Sequence, residues 1–395
     1  MTTQATATAS VAHDADVIVI GGGPAGSVAA RGLARSGRRV VLVDRGDHPR
    51  WKVCGCCLSG RGVAALASEG MGDITGRLGA RRPSRLVIRH RGRDIELPVD
   101  GTVVVSRSKL DAALLDAARN VGVEVRTGWT ATLGAVDDDA RVVRIRRGDE
   151  HEILRARVVL GATGLAPLPS VDEAGTPGVT RSPGSRIGIG AVLPAHGFGA
   201  GGPASDRIHM VVGRTGYVGI STLEDGRVDV AAAIDAVAVR AAGGPGEAVT
   251  ELLREANHPL PTCPPDEGWR GTPELTRSAE RPGAERLLLI GDAASYVEPF
   301  TGEGMTWAIE DARAVVPHVE TLLDGVDSAD VLAAWTTDRR NRVRRGRRLV
   351  RAVAWISRRE WRIRATLGIL RAVPALARPF IRSATTPLSL QQDTP

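Results

Sequence analysis

The stretch from Asp16 to Asp44, DVIVIGGGPAGSVAARGLARSGRRVVLVD, limits what this chain can fold into more than any other. Val17 to Ile20 form a short apolar run of the buried-strand type. Gly21, Gly23 and Gly26 follow in G-x-G-x-x-G spacing, before an Ala-rich helical segment from Ser27 to Arg35. Gly21 permits the tight turn, Gly23 lets the backbone approach a pyrophosphate, and Gly26 lets the helix lie close on the sheet. Free N–H groups at the helix start complement the anion. Arg39 to Val43 then make a second strand ending in Asp44, placed to accept from a ribose 2′-OH, with Arg45 directly after it. Together these predict one βαβ unit whose Gly21, Gly23, Pro24, Ala25, Gly26, Asp44 and Arg45 hold a dinucleotide.

The chain has 395 residues, 43% apolar and 25% charged, which is the composition of an ordinary globular protein with room for a large core. Met1 to Ala15 is Thr/Ala-rich without a basic start or an apolar stretch, so a disordered leader is expected rather than a signal peptide. No apolar run reaches the length of a membrane span, and a cytoplasmic protein is expected. Three of the four cysteines cluster in Cys54-Gly55-Cys56-Cys57 and the fourth, Cys263, lies far away. That is not a disulfide framework, and it lacks the paired spacing of a zinc site, so no metal is expected.

The net charge of +7 is unevenly placed. From Arg339 onward there are 15 arginines against Glu360 and Asp393, an excess of 13, which leaves −6 on the rest of the chain. Val350, Val353, Trp355, Ile356, Trp361, Ile363, Leu367 and Leu370 are interleaved with these cations in a helical pattern. Such an arm suits an anionic membrane surface, at the inner face of the membrane, or a solvated helix packed on the body. No nucleic-acid recognition motif accompanies the charge.

After Asp44 the run PRWKVCGCCLSG, Pro49 to Gly60, resembles the P-R-x-K-x-C-G-x-x-L-S element of the geranylgeranyl reductase family, flavoproteins on the p-hydroxybenzoate hydroxylase fold. The resemblance implies that Lys52, Cys54 and Gly55 lie beside the flavin, with Cys54 a candidate catalytic thiol. It also places Arg107, from an R-x-x-L-D-x-x-L pattern at a helix start, on the cofactor. Gly161-Ala162-Thr163-Gly164 ends a strand where hydroxylases of this fold usually carry Asp-Gly, linked to FAD and NAD(P)H. Gly164 is thus a cofactor candidate. Thr163 replaces the acid, so either NADPH or a separate reductase or ferredoxin is the electron donor; related flavin-dependent halogenases also tend to carry Thr-Gly.

Gly291-Asp292-Ala293-Ala294, followed by Pro299, Gly302, Gly304 and Met305, resembles the second FAD fingerprint. There the Asp accepts from the ribityl chain and a helix N-terminus, here from Thr306 to about Val316, faces the flavin's pyrimidine edge. Paired with the N-terminal glycines, it makes FAD the expected dinucleotide.

Between the fingerprints, Arg186 to Leu193, Ile208 to Val212, Tyr217 to Leu223 and Val228 to Ile234 read as strands, and Gly246 to Ala256 as a helix. Val123 to Arg126, Arg141 to Arg146 and Ile153 to Leu160 read as a small meander. The expected fold is α/β: a Rossmann-type FAD-binding domain like those of glutathione reductase and p-hydroxybenzoate hydroxylase, with an inserted antiparallel β-sheet substrate domain and C-terminal helices. Residues 16–164 and 281–325 form the first domain, 80–105 and 165–280 the second, and 326–395 the basic arm.

The chemistry expected is that of an FAD-dependent oxidoreductase acting on a small apolar substrate. Tyr217-Val218-Gly219-Ile220-Ser221-Thr222 stands where prenyl reductases usually show an aromatic-x-Trp-x-Phe-Pro pattern and tryptophan halogenases Trp-x-Trp-x-Ile-Pro. Hydroxylation of an aromatic or polyketide-like substrate is therefore favoured over prenyl double-bond reduction. Halogenation needs a lysine at the reaction chamber, and the only lysines, Lys52 and Lys109, fall in segments assigned to the flavin. A lipid-binding relative without redox chemistry is the further alternative, since Rab escort and GDP-dissociation-inhibitor proteins resemble this fold.

Overall fold

The computed structural model describes residues 13–137, 139–171, 176–199, 204–298, 300, 302–357, 359–373 and 376. Pro299 and most of the expected leader lie outside them, and Ala15, its last residue, already opens a strand.

Two sheets organise the molecule. In the nucleotide sheet the path runs Gly283–Ala284, Leu287–Leu289, Glu150–Gly161, Ala15–Ile20, Val40–Asp44, Glu124–Thr127. The strands from Leu287–Leu289 to Glu124–Thr127 are parallel, and their apolar runs are buried on both faces. One face packs on helices Pro24–Arg35, Arg107–Arg119 and Gly304–Leu323, the other on strands Thr130–Asp137 and Ala140–Arg147.

The expected meander is corrected here. Glu124–Thr127 is a parallel edge strand, Thr130–Asp137 takes its place in the meander, and Glu150–Gly161 serves both layers. Its first half pairs antiparallel with Ala140–Arg147 and its second half lies parallel between Ala15–Ile20 and Leu287–Leu289. The sequence explains the division, because Glu150 to Ile153 is exposed and Val158 to Leu160 is wholly buried.

The second sheet roofs the first domain. Its order is Glu267–Glu274, Ile187–Leu193, Val228–Ile234, Gly216–Thr222, Arg207–Val212, Arg85–His90, Arg93–Pro98. It is not purely antiparallel as expected, since Arg207–Val212 runs parallel to Arg85–His90. The hairpin Arg85 to Pro98 enters from the nucleotide-binding half, so a long crossover rather than a turn joins it to its neighbour. The outer face, Ile189, Val211, Val218, Ile220, Val230 and Ile234, is covered by Val249, Leu252 and Leu253 of the Pro245–Glu255 helix. The inner face looks toward the nucleotide domain.

The helix after the second fingerprint, Gly304–Leu323, begins at Gly304 and passes through Pro317 instead of stopping near Val316. Val315, Val319, Leu322 and Leu323 are all buried in the shared core, which holds the helix together past the missing N–H donor. The basic segment forms helices Ser328–Ser357 and Glu360–Ala372. Its beginning is not a free arm. Arg339 is buried and donates to Asp311 Oδ2 at 2.8 Å, Ser295 Oγ at 2.6 Å and the Gly291 carbonyl at 3.2 Å.

Candidate active site

The glycine loop has the shape its spacing predicts. Gly21 has φ +115°, and a Cβ there would stand 2.3 Å from the Ala162 carbonyl oxygen; one on Gly26 would stand 1.8 Å from the Gly21 oxygen. In front of Gly23 there is room instead, with Arg107 Nη2 and Lys52 Nζ 3.7 and 3.9 Å from the place of a Cβ. Pro24 and Ala25 begin the helix Pro24–Arg35, whose first turn has no capping side chain and no acid. A space bordered by unpaired helix N–H groups and two cations has the chemistry that a pyrophosphate requires.

Both cations are held by Asp111, which the sequence pattern contained without marking its role. Lys52 Nζ lies 2.7 Å from Asp111 Oδ2, and Arg107 Nε and Nη2 donate to its two oxygens at 2.8 and 2.9 Å. Burial opposes ionisation of Asp111, but the Arg107 and Lys52 charges outweigh it and hold the carboxyl below its usual range. Ser106 caps the helix Arg107–Arg119 and so fixes where Arg107 starts.

Asp44 is buried at the strand end. It accepts from Gly22 N at 2.6 Å, Gly46 N at 2.8 Å and Arg50 Nη2 at 3.0 Å. Burial again opposes the charge, while His48, its Nε2 3.7 Å away, the Gly46 N–H and the Arg50 charge hold the carboxyl well below its usual range. Arg45 is exposed; Arg50, not Arg45, takes the ion pair with Asp44.

The second fingerprint reaches the same space. Gly291, with φ +59°, turns the chain so that its N–H meets Asp311, and Asp292 follows half-buried. Burial pushes Asp292 up to about 7, against the pull of Arg107, while Cys54 adds to the push. Arg107, Cys54 and Asp292 thus act on one another, which brings three distant segments together. Gly302, with φ +68°, would press a Cβ to 3.3 Å from Cys57 Cβ, and Gly304 and buried Met305 open the next helix. Gly164 has φ +66° at its turn, where Thr163 Oγ1 donates to the Ala166 carbonyl. Gly55 has open space where a side chain would stand.

The cysteine loop lies between this space and the roof. A hydrogen bond with Cys56 and the Arg107 charge lower the Cys54 thiol to about 6 against the effect of burial. Cys56 and Cys57 are pushed up, Cys56 first by its bond with Cys54 and Cys57 by burial. On the roof's inner face, neighbouring strands place Gly190, Ala231 and Gly219 side by side, a row almost without side chains. Beside it stands the row Val192, Asp229, Ser221, and on the other side Gly188, Ala233, Tyr217. Tyr217 packs with Phe300, ring centroids 4.9 Å apart, in an apolar cluster that includes Ile88, Met210 and Ile363. Sequence reasoning missed Asp229, because Val228-Asp229-Val230 reads as an ordinary alternation with its polar side chain in water.

These residues fit FAD. The anion cradle at Gly23 with Arg107 and Lys52, the buried acid at the end of the second strand, and Asp292 within reach of the Arg107 charge are the groups that a dinucleotide requires. The FAD binding domain family matches residues 14–350. The menaquinone reductase of Mycobacterium tuberculosis is 26% identical over 387 residues, 87% of this chain and 84% of its own. Digeranylgeranylglycerophospholipid reductase 1 of Methanopyrus kandleri is 28% identical, over 81% and 83% of the two chains. Among solved structures, the myxobacterial chondrochloren halogenase CndH superposes with a TM-score of 0.74 at 22% identity, covering 94% of this chain and 90% of that one. The family match spans both fingerprints and the roof between them: the chain belongs to the FAD binding domain family and is an FAD-dependent oxidoreductase.

Proposed function

We propose that this chain reduces a carbon–carbon double bond in an apolar, prenyl-type substrate. The observation that carries the reading is Cys54, a half-buried thiol with a pKa lowered by Cys56 and by the Arg107 charge, in the loop whose Trp51, Cys56 and Cys57 pack on the roof. FAD held here and reduced by its electron donor would supply the two electrons as a hydride. The rest falls to the chain's own residues. The Tyr217, Met210 and Ile363 cluster excludes water and receives an apolar tail, and the acidic groups at the other end manage the proton that saturation of an alkene consumes. The two relatives described above are reductases by name and resemble this chain over more than four-fifths of its length.

Hydroxylation of an aromatic or polyketide-like substrate is the second reading, favoured by Tyr217-Val218-Gly219-Ile220 in place of the reductases' aromatic pattern. Halogenation has less support, because Lys52 is paired with Asp111 and Lys109 with Glu224 at 3.4 Å. For the electron donor we favour a separate reductase or ferredoxin over NADPH, since Thr163 stands in the acid's place and spends its hydroxyl on Ala166. The deciding experiment is anaerobic turnover of the dithionite-reduced holoprotein with prenyl lipids and prenylated quinones, read by mass. Addition of two hydrogens supports reduction. Turnover only in air, with one atom of labelled O₂ in the product, replaces it with hydroxylation.

A further inference from the structure

Asp229 sits in the middle of the roof sheet with its side chain on the inner face. Directly opposite neighbours share a face, and its neighbours are Val192 and Ser221. Val192 packs on Cys56, and two residues earlier on the same strand Gly190 stands against the loop: a Cβ there would lie 3.0 Å from Val53 Cγ1 and 3.5 Å from Trp51 Cζ2. The row therefore faces the Trp51 to Cys57 segment. Asp229 is 1% exposed and Ser221 2%, yet neither carboxyl oxygen nor the Ser221 hydroxyl has a hydrogen-bond partner among the described residues. An ionised carboxylate in such a place costs several kcal/mol, whereas the neutral acid costs far less.

The groups that act on Asp229 are the Cys54 thiol from the loop and Glu224 from the turn between the two strands, which raise it, and the Cys56 thiol, which lowers it; Asp229 in turn acts on Cys56 and Cys57. Burial comes first and Cys54 second in raising Asp229 well above the ordinary carboxyl value. Arg107, on the far side of Cys54, pulls that thiol the opposite way. Free side chains would ionise in the reverse order, aspartic acid long before cysteine. Burial of a carboxyl without a partner works against that order and favours the proton on the roof.

We infer that Asp229, buried on the roof face that meets the cysteine loop without a hydrogen-bond partner among the described residues, holds a proton that it shares with Cys54, and that this proton completes the saturated bond of the substrate. The inference rests on the reduction reading. In balance, one alkene carbon gains the hydride and the other gains the stored proton. The Asp229–Cys54 pair is left one charge more negative until a proton from water restores it. No oxidant or further reductant enters this step.

The test uses the FAD-loaded protein with ¹³C-labelled aspartate, and its first readout is independent of turnover. At neutral pH the infrared spectrum should contain a protonated-carboxyl C=O band that Asp229→Asn removes. Asp229→Asn should bind FAD and be bleached by dithionite as the unaltered protein is, while turnover falls by about 100-fold or more, the span of a lost general acid. If the Asn variant fails to fold, Asp229→Ser removes the carboxyl in a smaller side chain. No such band, or full turnover in a folded variant, overturns the inference. An oxygenated product from the unaltered protein overturns the reduction reading and, with it, this role, even where the band is present.

Discussion

Arg339 Nε donates to Asp311 Oδ2 at 2.8 Å, a buried contact that ties the first turns of the basic helix to the helix behind the second fingerprint. Its other nitrogens reach Ser295 Oγ and the Gly291 carbonyl, so one guanidinium fixes the turn that presents Asp292. Arg339→Ala should therefore destabilise the protein by about 3–5 kcal/mol, the cost of leaving a buried charge without its partner, moderated by Arg342, which also reaches Asp311. Urea unfolding checks this, together with FAD content after purification. A variant of unchanged midpoint and full FAD content would remove Arg339 from the scaffold.

Arg107 and Lys52 converge on the opening in front of Gly23, and Asp111 holds both there. Removing the Arg107 guanidinium should weaken FAD binding roughly 10- to 150-fold, the value of one hydrogen bond to a charged group. Asp111→Asn should also weaken it, by loosening both cations at once. Titration of the apoprotein with FAD, followed by flavin fluorescence, measures both. Unchanged affinity in Arg107→Ala would place the pyrophosphate elsewhere.

The parts of this architecture that were legible in the sequence are those where backbone geometry forces the residue. Gly21, Gly26, Gly291 and Gly302 are glycines because a side chain there is strained or strikes backbone, so their spacing carries the fold. Strands with uninterrupted apolar runs, such as Val40 to Val43, were equally plain. What stayed hidden depends on partners far along the chain. Glu150–Gly161 changes layer midway, and only its neighbours reveal that. Asp229 looks solvated until the inner face is known. Arg339 is indistinguishable in sequence from the arginines after it, although it is buried in a socket made by Gly291, Ser295 and Asp311. Glu267–Glu274 contains two glycines and a proline, which mask an edge strand.

Asp292 links FAD binding to pH. Burial raises its folded pKa to about 7, against an unfolded value near 4. For a raised acid the contribution to apoprotein stability is fully present below about pH 4 and is lost as pH rises toward 7. A ribityl hydroxyl that donated to Asp292, as the resemblance implies, would favour the ionised form, so FAD should bind with full affinity above about pH 7. Below that, affinity should fall by up to tenfold per pH unit. Dissociation constants from about pH 5 to 8 should show this slope in the unaltered protein and a flat line in Asp292→Asn. Equal slopes in the two would assign the linkage to another group.

The basic helices carry an apolar face that the body does not cover. Of the ten large apolar side chains exposed among the described residues, five lie in this one segment: Trp355, Trp361, Ile369, Val373 and Leu376. Ile363 points the other way, into the roof cluster with Tyr217 and Met210, and Arg91 pairs with Glu360 at 2.9 Å, so the Glu360–Ala372 helix is docked while its Trp face stays outside. The Arg362 guanidinium carbon lies 3.4 Å from the Trp355 ring centroid and 5.3 Å from that of Trp361, which joins cation and aromatic surface in one patch. We propose that this face rests on an anionic membrane leaflet, where an apolar substrate dissolves and the covered cluster beneath Ile363 is within reach. Each basic residue near such a surface contributes about 1 kcal/mol, screened within a Debye length of about 8 Å at physiological salt. Among the described residues no helix is long and apolar enough to cross a membrane. Truncation before Arg339 is a poor test because it removes the socket arginine. Trp355→Ser with Trp361→Ser and Ile369→Ser leaves that socket intact. The unaltered protein should pellet with phosphatidylglycerol vesicles at low salt and less at high salt, and the triple variant should stay in solution at both. Equal pelleting by the two proteins, or none by either, would leave the helices as a solvated cap on the roof.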